Sequence, residues 1–223
     1  MVWRIILCLI CGYGFGCIST GYIVGKINHV DIRNYGSGNI GTTNTMRTLG
    51  KKAGAITYVG DVAKAMIPML VARLVIFRDV PYAELLGLYV GLGVAVGHNF
   101  PFWLHFKGGK GIAVTSGVMA AHDPLAIPLY LISFIISVAV TKYVSVGSLV
   151  IVTIFPIWIG IMDHNKDYFV HTLIVSLVFT GLAYFRHKQN IIRIINGNEN
   201  KIGQKVAVSK NPKEDANQSP AEK

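Results

Sequence analysis

The chain has 223 residues, of which 52% are hydrophobic and 14% charged, and its mean hydropathy is +0.49. This composition excludes a disordered chain, a disulfide scaffold and an ordinary water-soluble globule. A formal charge of +10 fits a nucleic-acid binder or a membrane protein with basic loops, and the hydropathy selects the second.

A bilayer-crossing helix needs about 20 largely apolar residues. The first such run is 2–24, ended by Lys26. Arg4 followed by apolar residues has the look of a signal peptide. More membrane segments follow, so the run reads as a retained span. It holds Cys8, Cys11 and Cys17. With no second Cys pair and no nearby His, these read as small apolar helix residues, and no metal site is expected. Residues 26–52 are polar. The second span is 53–77, unusual in carrying Asp61 and Lys64 three positions apart, a spacing that permits an intrahelical pair. Charges at such a place serve either structure or function. Arg78-Asp79-Val80-Pro81 is a turn, and 82–98 is the third span. A Gly- and Lys-rich loop occupies 99–111. Residues 112–121 are apolar but short for a crossing. After His122-Asp123-Pro124 come spans at 125–140, 147–162 and 168–185, separated by 141–146 and 163–167. From Arg186 the chain is polar. One domain is expected over 1–203, with a polar, disordered tail at 204–223.

The loops alternate in charge. One set, with the C-terminal region, carries sixteen Lys and Arg; the other carries Arg4, Arg78 and Lys166. The positive-inside rule places the rich set in the cytoplasm and the N-terminus outside. If 112–121 were re-entrant, the C-terminal region would fall on the opposite side.

Three polar stretches carry the chemistry. The first contains Ser37, Gly38, Asn39, Gly41, Thr42, Thr43, Asn44 and Arg47. Glycines let backbone N–H groups approach an anion, hydroxyls add donors, and Arg grips phosphate. It reads equally as a polar turn before a helix capped by Thr42 or Asn44. The second runs from Gly97-His98-Asn99 to Phe106-Lys107-Gly108-Gly109-Lys110-Gly111. Two ammonium groups beside a helix start suit phosphate, although Walker spacing is absent. The alternative is a basic loop against anionic headgroups. The third holds Arg186, His187, Asn190, Arg193 and Glu199. Alone, it reads better as a cationic amphipathic helix on the membrane surface.

Together, GSGNIGTTNxxR, GHNFPxxxxFKGGKGIA and RHxxNIxRxxxGxE, in this order between such spans, resemble the three motifs of the PlsY family over residues 1–203. These are bacterial integral-membrane acyl-phosphate:glycerol-3-phosphate acyltransferases. The resemblance implies an all-α membrane protein of seven transmembrane helices, with the N-terminus outside, the C-terminus cytoplasmic and the motifs on the cytoplasmic side of the inner membrane. It implies acyl transfer from acyl phosphate to glycerol 3-phosphate, without a cofactor and with membrane lipids around the chain. An acyl-phosphate synthase would act upstream.

By position, the resemblance assigns Ser37, Arg47, Lys110, Asn190 and His187 to catalysis. It assigns Gly38, Asn39, Thr43, Asn44, Lys107, Gly108, Gly109, Gly111, Ser145, Arg193 and Glu199 to substrate binding. The chain departs from the family pattern at Thr42, usually Ala, and Val114, commonly Thr. No His stands five positions before Asp31, Asp61, Asp79, Asp123, Asp163 or Asp167, so the His–Asp pair of soluble-type acyltransferases is missing there. Two other classes fit the charge: an anion transporter, for which no inverted repeat is visible, and a lipid-binding scaffold, which leaves the Gly, Ser, Thr and Asn concentration unexplained.

Overall fold

The computed structural model describes residues 1–204. The expected tail lies outside the described residues from 205 onward. Among the described residues there is no strand, and five segments are long and apolar enough to cross a membrane.

The first run is broken. Helix α1 is Val2–Gly16 and α2 is Thr20–Ile27, with extended backbone at Ser19. The expected single span missed this break because every residue at it is small or apolar. The freed carbonyls are taken from elsewhere: Trp103 Nε1 donates to Cys17 O (2.8 Å) and Lys64 Nζ to Ile18 O (2.7 Å). Broken helices persist in hydrocarbon only where other groups satisfy them so.

Helix α3, Thr42–Leu49, leads into α4, Lys51–Val71, which ends in a wider turn over Ala72–Ile76. Next come α5 (Ala83–Asn99), α6 (Ile112–His122) and α7 (Ile127–Thr141), the last entered through a short turn at Pro124–Ala126. The chain closes with α8 (Val144–Met162), α9 (Phe169–Arg186) and α10 (Lys188–Ile195). Helix α8 starts earlier than expected, so Ser145 sits in its first turn rather than in a loop. Helix α6 has 11 residues, about 16 Å of rise.

Helix α5 is the axis of the bundle and is buried along most of its length. It touches α1, α4, α6 and α9. Its seam with α1 is made of glycines. A Cβ on Gly12 or Gly16 would overlap backbone of Val90 or Val94, and one on Gly93 or Gly97 would overlap backbone of Leu9 or Tyr13. Lipid tails are as apolar as Leu, so helices in a bilayer associate through such close packing rather than through exclusion of water. The outer faces of α1 and α7 expose Ile6, Ile10, Leu131 and Ile135, as a lipid-facing surface requires.

Polar groups gather at both ends. At one end, Lys166 Nζ bridges Glu84 Oε2 (2.7 Å) and Asp163 Oδ1 (2.9 Å), and His122 Nε2 meets Asp163 Oδ2 at 2.9 Å. Arg73 donates to the carbonyls of Ala121 and His122, closing the C-terminus of α6. The three motifs lie together at the opposite end.

Candidate active site

A cavity of about 570 Å³ opens among the motif loops. Its upper wall is polar and its lower wall apolar. Tyr58 and Val62 of α4 face Tyr130 and Phe134 of α7, with Ile112 and Met119 of α6 between them.

The first loop is folded around Asn44. Its side-chain oxygen accepts from Ser37 N (2.9 Å), and its amide donates to the carbonyls of Ile32 and Tyr35 (both 3.0 Å). All of its bonding capacity along the loop is therefore spent within the protein. The helix that follows is capped by Gly41, not by Thr42 or Asn44. Asn44 sits inside its first turn, where its reach back to residue 32 makes it a clamp rather than a cap. Asn39 Oδ1 accepts from Gly41 N, and Arg47 donates to Asn200 O at 3.3 Å. Arg47 thereby joins the first motif to the third.

In the second loop, the N–H groups of Gly108 and Gly109, which the resemblance assigns to substrate binding, are taken up within the protein. Gly108 N–H donates to Asn99 O (3.1 Å) and Gly109 N–H to His98 O (3.0 Å). Their carbonyls accept from Arg186, whose Nε and Nη2 reach Gly109 O and Gly108 O at 2.9 Å each. The guanidinium also covers the Phe100 ring. Both glycines are therefore fully bonded inside the protein. Gly111 caps α6 at φ +78°, a conformation open to glycine. Lys110 points into the cavity and donates to Asn190 Oδ1 at 2.5 Å.

The third motif converges on Glu199. Oε1 accepts from Asn190 Nδ2 (2.6 Å) and Ser145 Oγ (3.1 Å), and Oε2 accepts from Arg193 Nε (2.7 Å). Burial pushes the Glu199 carboxyl up, but the donors on Asn190 and Arg193 outweigh it and hold the group below its ordinary value. Burial lowers the Lys110 amine to about 8, and the arginines around it work in the same direction. His187 is pushed down to about 4 by burial and then by the Lys110 charge. Its Nδ1 lies 2.7 Å from Ala183 O, an acceptor only, so Nδ1 carries the proton and Nε2 is left with a lone pair.

Of the residues assigned from the sequence, Ser37, Asn39, Thr43, Asn44, Arg47, Lys110, Gly111, Ser145, His187, Asn190, Arg193 and Glu199 line the cavity. Gly38, Lys107, Gly108 and Gly109 do not. Gly38 forms a turn at φ +68°, and Lys107 is exposed at the rim. The sequence reading left Arg186 outside the site, although it stands in the third motif, because nothing in the spacing reveals that its partners are carbonyls. The lower wall was equally invisible, being built from residues typical of any apolar span. Among the described residues, the one His–carboxylate group compact enough for a metal is Glu84, His122 and Asp163. It lies at the far end, and Lys166 already spans both of its carboxylates.

The sequence model of the glycerol-3-phosphate acyltransferase family matches residues 6–197. The glycerol-3-phosphate acyltransferase of Clostridioides difficile (strain 630) is 45% identical over 206 residues, covering 92% of this chain and 98% of that protein. That of Alkaliphilus metalliredigens (strain QYMF) is 40% identical over 204 residues, covering 91% and 98%. The crystal structure of PlsY, an integral membrane glycerol 3-phosphate acyltransferase, in its glycerol 3-phosphate form, aligns with a TM-score of 0.80 at 31% identity. That alignment covers 89% of this chain and 96% of PlsY. A lysophosphatidic acid form of the same protein aligns at 0.78. With its three motifs folded around one half-polar, half-apolar cavity, the chain belongs to the PlsY family of integral-membrane glycerol-3-phosphate acyltransferases.

Proposed function

We propose that the protein transfers a fatty acyl group from acyl phosphate to the 1-hydroxyl of sn-glycerol 3-phosphate, yielding lysophosphatidic acid and phosphate. The observation that carries this is the division of the cavity. Arg47, Lys110 and Arg193 stand at one end, and the apolar wall between α4 and α7 runs away from them. An acyl phosphate has the same division, a dianion at the end of a hydrocarbon chain.

Arg47 and Lys110 neutralise phosphate charge as the transition state forms. Ser37, Thr43 and Asn190 orient the acyl phosphate and the attacking hydroxyl. Asn190 is held for this by Lys110 on one side and Glu199 on the other. The hydroxyl oxygen bonds to the acyl carbon while the bond from that carbon to the phosphate oxygen breaks. The hydroxyl proton ends on the departing phosphate. The departing phosphate gains a negative charge as its bond to the acyl carbon breaks and is more basic than the His187 imidazole, which burial holds at about 4, so His187 Nε2 serves to accept the hydroxyl hydrogen bond and aim it. Arg193, Glu199, Ser145 and Gly111 bind the glycerol phosphate. Lys107 draws anions to the rim, while Gly38, Asn39, Asn44, Gly108 and Gly109 shape the loops. Acyl phosphate is already activated, so the reaction requires no cofactor or metal.

Residues 1–203 act as one domain. All seven helical runs cross the inner membrane, the charged α4 and the short α6 included, with the N-terminus outside and the motif end cytoplasmic. The excess of Lys and Arg at the motif end supports this orientation. An acyl-phosphate synthase supplies the donor.

The test is purified protein in detergent with palmitoyl phosphate and glycerol 3-phosphate, following phosphate release, with palmitoyl-CoA in parallel. Release only with acyl phosphate, and only when glycerol 3-phosphate is present, is the expected result. Turnover with the CoA donor instead would overturn the assigned donor. No product from either, with folded protein, would point to transport.

A further inference from the structure

His98 stands in the last turn of the buried helix α5, and its ring is fixed by an ammonium group. Lys64 Nζ has three partners: Ile18 O at 2.7 Å, Asp61 Oδ1 at 2.8 Å and His98 Nδ1 at 2.9 Å. An ammonium has three donors and no acceptor. All three are used, so Nδ1 of His98 accepts and Nε2 carries the proton. Thr20 Oγ1 donates to Asp61 Oδ1 (2.9 Å) and completes the chain.

The protonated edge of the ring meets Gly109. A Cβ on Gly109 would overlap His98 Nε2. Gly109 is not at a positive φ, so conformation does not demand glycine there. Space does, and the space is filled by the imidazole edge. His98 also lines the cavity. Among the described residues, Nε2 has no protein hydrogen-bond partner; Asp61 Oδ2 shares that state, and the other polar atoms in this chain of contacts are paired.

We propose that His98 is a further substrate-contacting residue of the acyl-transfer site. Its Nε2–H, on the ring edge that occupies the space a Gly109 side chain would take, donates to an anionic oxygen of the bound substrates, and Lys64 and Asp61 are positioning residues that fix the tautomer. The assignment rests on the acyl-transfer reading given above. It explains the second glycine of KGGKG, whose own N–H is occupied. It also explains a charged pair inside α4 that would otherwise serve only to join three helices.

The test is nitrogen NMR of the full-length protein in detergent, labelled at histidine, with the His98 signal assigned by its loss in His98→Gln. The expected pattern is protonated Nε2 and bare Nδ1, with Nε2 shifting when phosphate oxygens bind. A shift with glycerol 3-phosphate but not with inorganic phosphate identifies the acceptor as the partner, and a shift with inorganic phosphate, the group the donor releases, identifies the donor's phosphate. A shift only with a non-hydrolysable acyl phosphate analogue identifies the donor. A proton on Nδ1, or no shift at saturation with all three, overturns the proposal. In kinetics, His98→Leu should lose about a hundred- to a thousandfold in kcat/KM, the usual cost of one such donor, while His98→Gln, which keeps a donor and an acceptor, retains most of it. A folded His98→Leu with normal turnover also overturns it. The NMR result with inorganic phosphate reports on His98 whichever acyl donor the turnover assay supports, so the two readings fail separately.

Discussion

Lys110 and Asn190, eighty positions apart in the chain, meet across 2.5 Å, with the ammonium donating to the side-chain oxygen. That contact fixes which way the Asn190 amide points, because its NH2 must then turn to Glu199. A cation, an amide and a carboxylate thus form one chain from the loop before α6 to the segment after α10.

The Lys110 cation is sensitive to pH. Burial brings its amine to about 8, against an ordinary 10.5. Below about 8 the ammonium is intact, and above it the charge that neutralises phosphate is lost. We expect kcat/KM to fall as pH rises through about 8, and Lys110→Arg, always charged, to move that limb upward. Stability has the opposite sign. Between about 8 and 10.5 the unfolded chain holds more protons than the folded one, so this group makes the unliganded fold more stable as pH rises there. A pH–rate profile and thermal unfolding in detergent read the two effects.

Arg186 is a clamp rather than a charge. Its fork holds two adjacent carbonyls, a geometry that the point charge of lysine does not reproduce. Arg186→Lys should leave the bundle folded yet cut kcat/KM severely, because the loop carrying Lys110 loses its anchor. Activity equal to wild type would show that the loop holds without the clamp.

Glu199 gathers three donors. Glu199→Gln replaces charge-assisted bonds worth about 1.5–3 kcal/mol each and faces an NH2 group toward Asn190 or Arg193. Turnover should be lost and the melting temperature lowered. The carboxyl sits below its ordinary 4.5 in the folded state, so its contribution to stability is complete above that value and disappears as pH falls through the folded pKa. Melting temperature against pH from 7 to 3, for wild type and variant, should converge at the acid end.

At the far end, Asp163 holds His122 and Lys166. Asp163→Asn should lower the melting temperature while leaving KM for glycerol 3-phosphate unchanged, since no motif residue touches this network. A large KM shift would mean that α6 transmits strain from one end to the other.

The long apolar helices were legible from apolar runs, and most polar residues lining the cavity from three motifs. What the sequence hid were contacts between backbone and distant side chains. The glycines flanking Ser19, Gly16 and Gly21, are no clear break signal in a run where Gly12 and Gly14 stay helical, and what stabilises the break, Trp103 and Lys64, lies in other segments. Asn44 looked like a cap or a ligand because Asn does both, and its use as a loop clamp depends on where Ile32 and Tyr35 fold. Gly108 and Gly109 are assigned to substrate binding by the resemblance, yet their N–H groups face carbonyls of the preceding helix end. Ser145 was read as a loop residue because Lys142 and Tyr143 interrupt the apolar run.

The glycine seam between α1 and α5 has a consequence for biogenesis. Synthesis proceeds from the N-terminus, and α1 leaves the ribosome long before its partner. Until α5 arrives, Gly12 and Gly16 lie against lipid with nothing to grip, and α1 is anchored only by its apolar length. The intervening α4 enters with Asp61 and Lys64 one turn apart, each already carrying its counter-ion. Docking of α5 then closes the seam and delivers His98 to Lys64 in the same movement. Bulk added at Gly93 or Gly97 would therefore act during insertion, leaving a chain that is integrated in the membrane but never assembled.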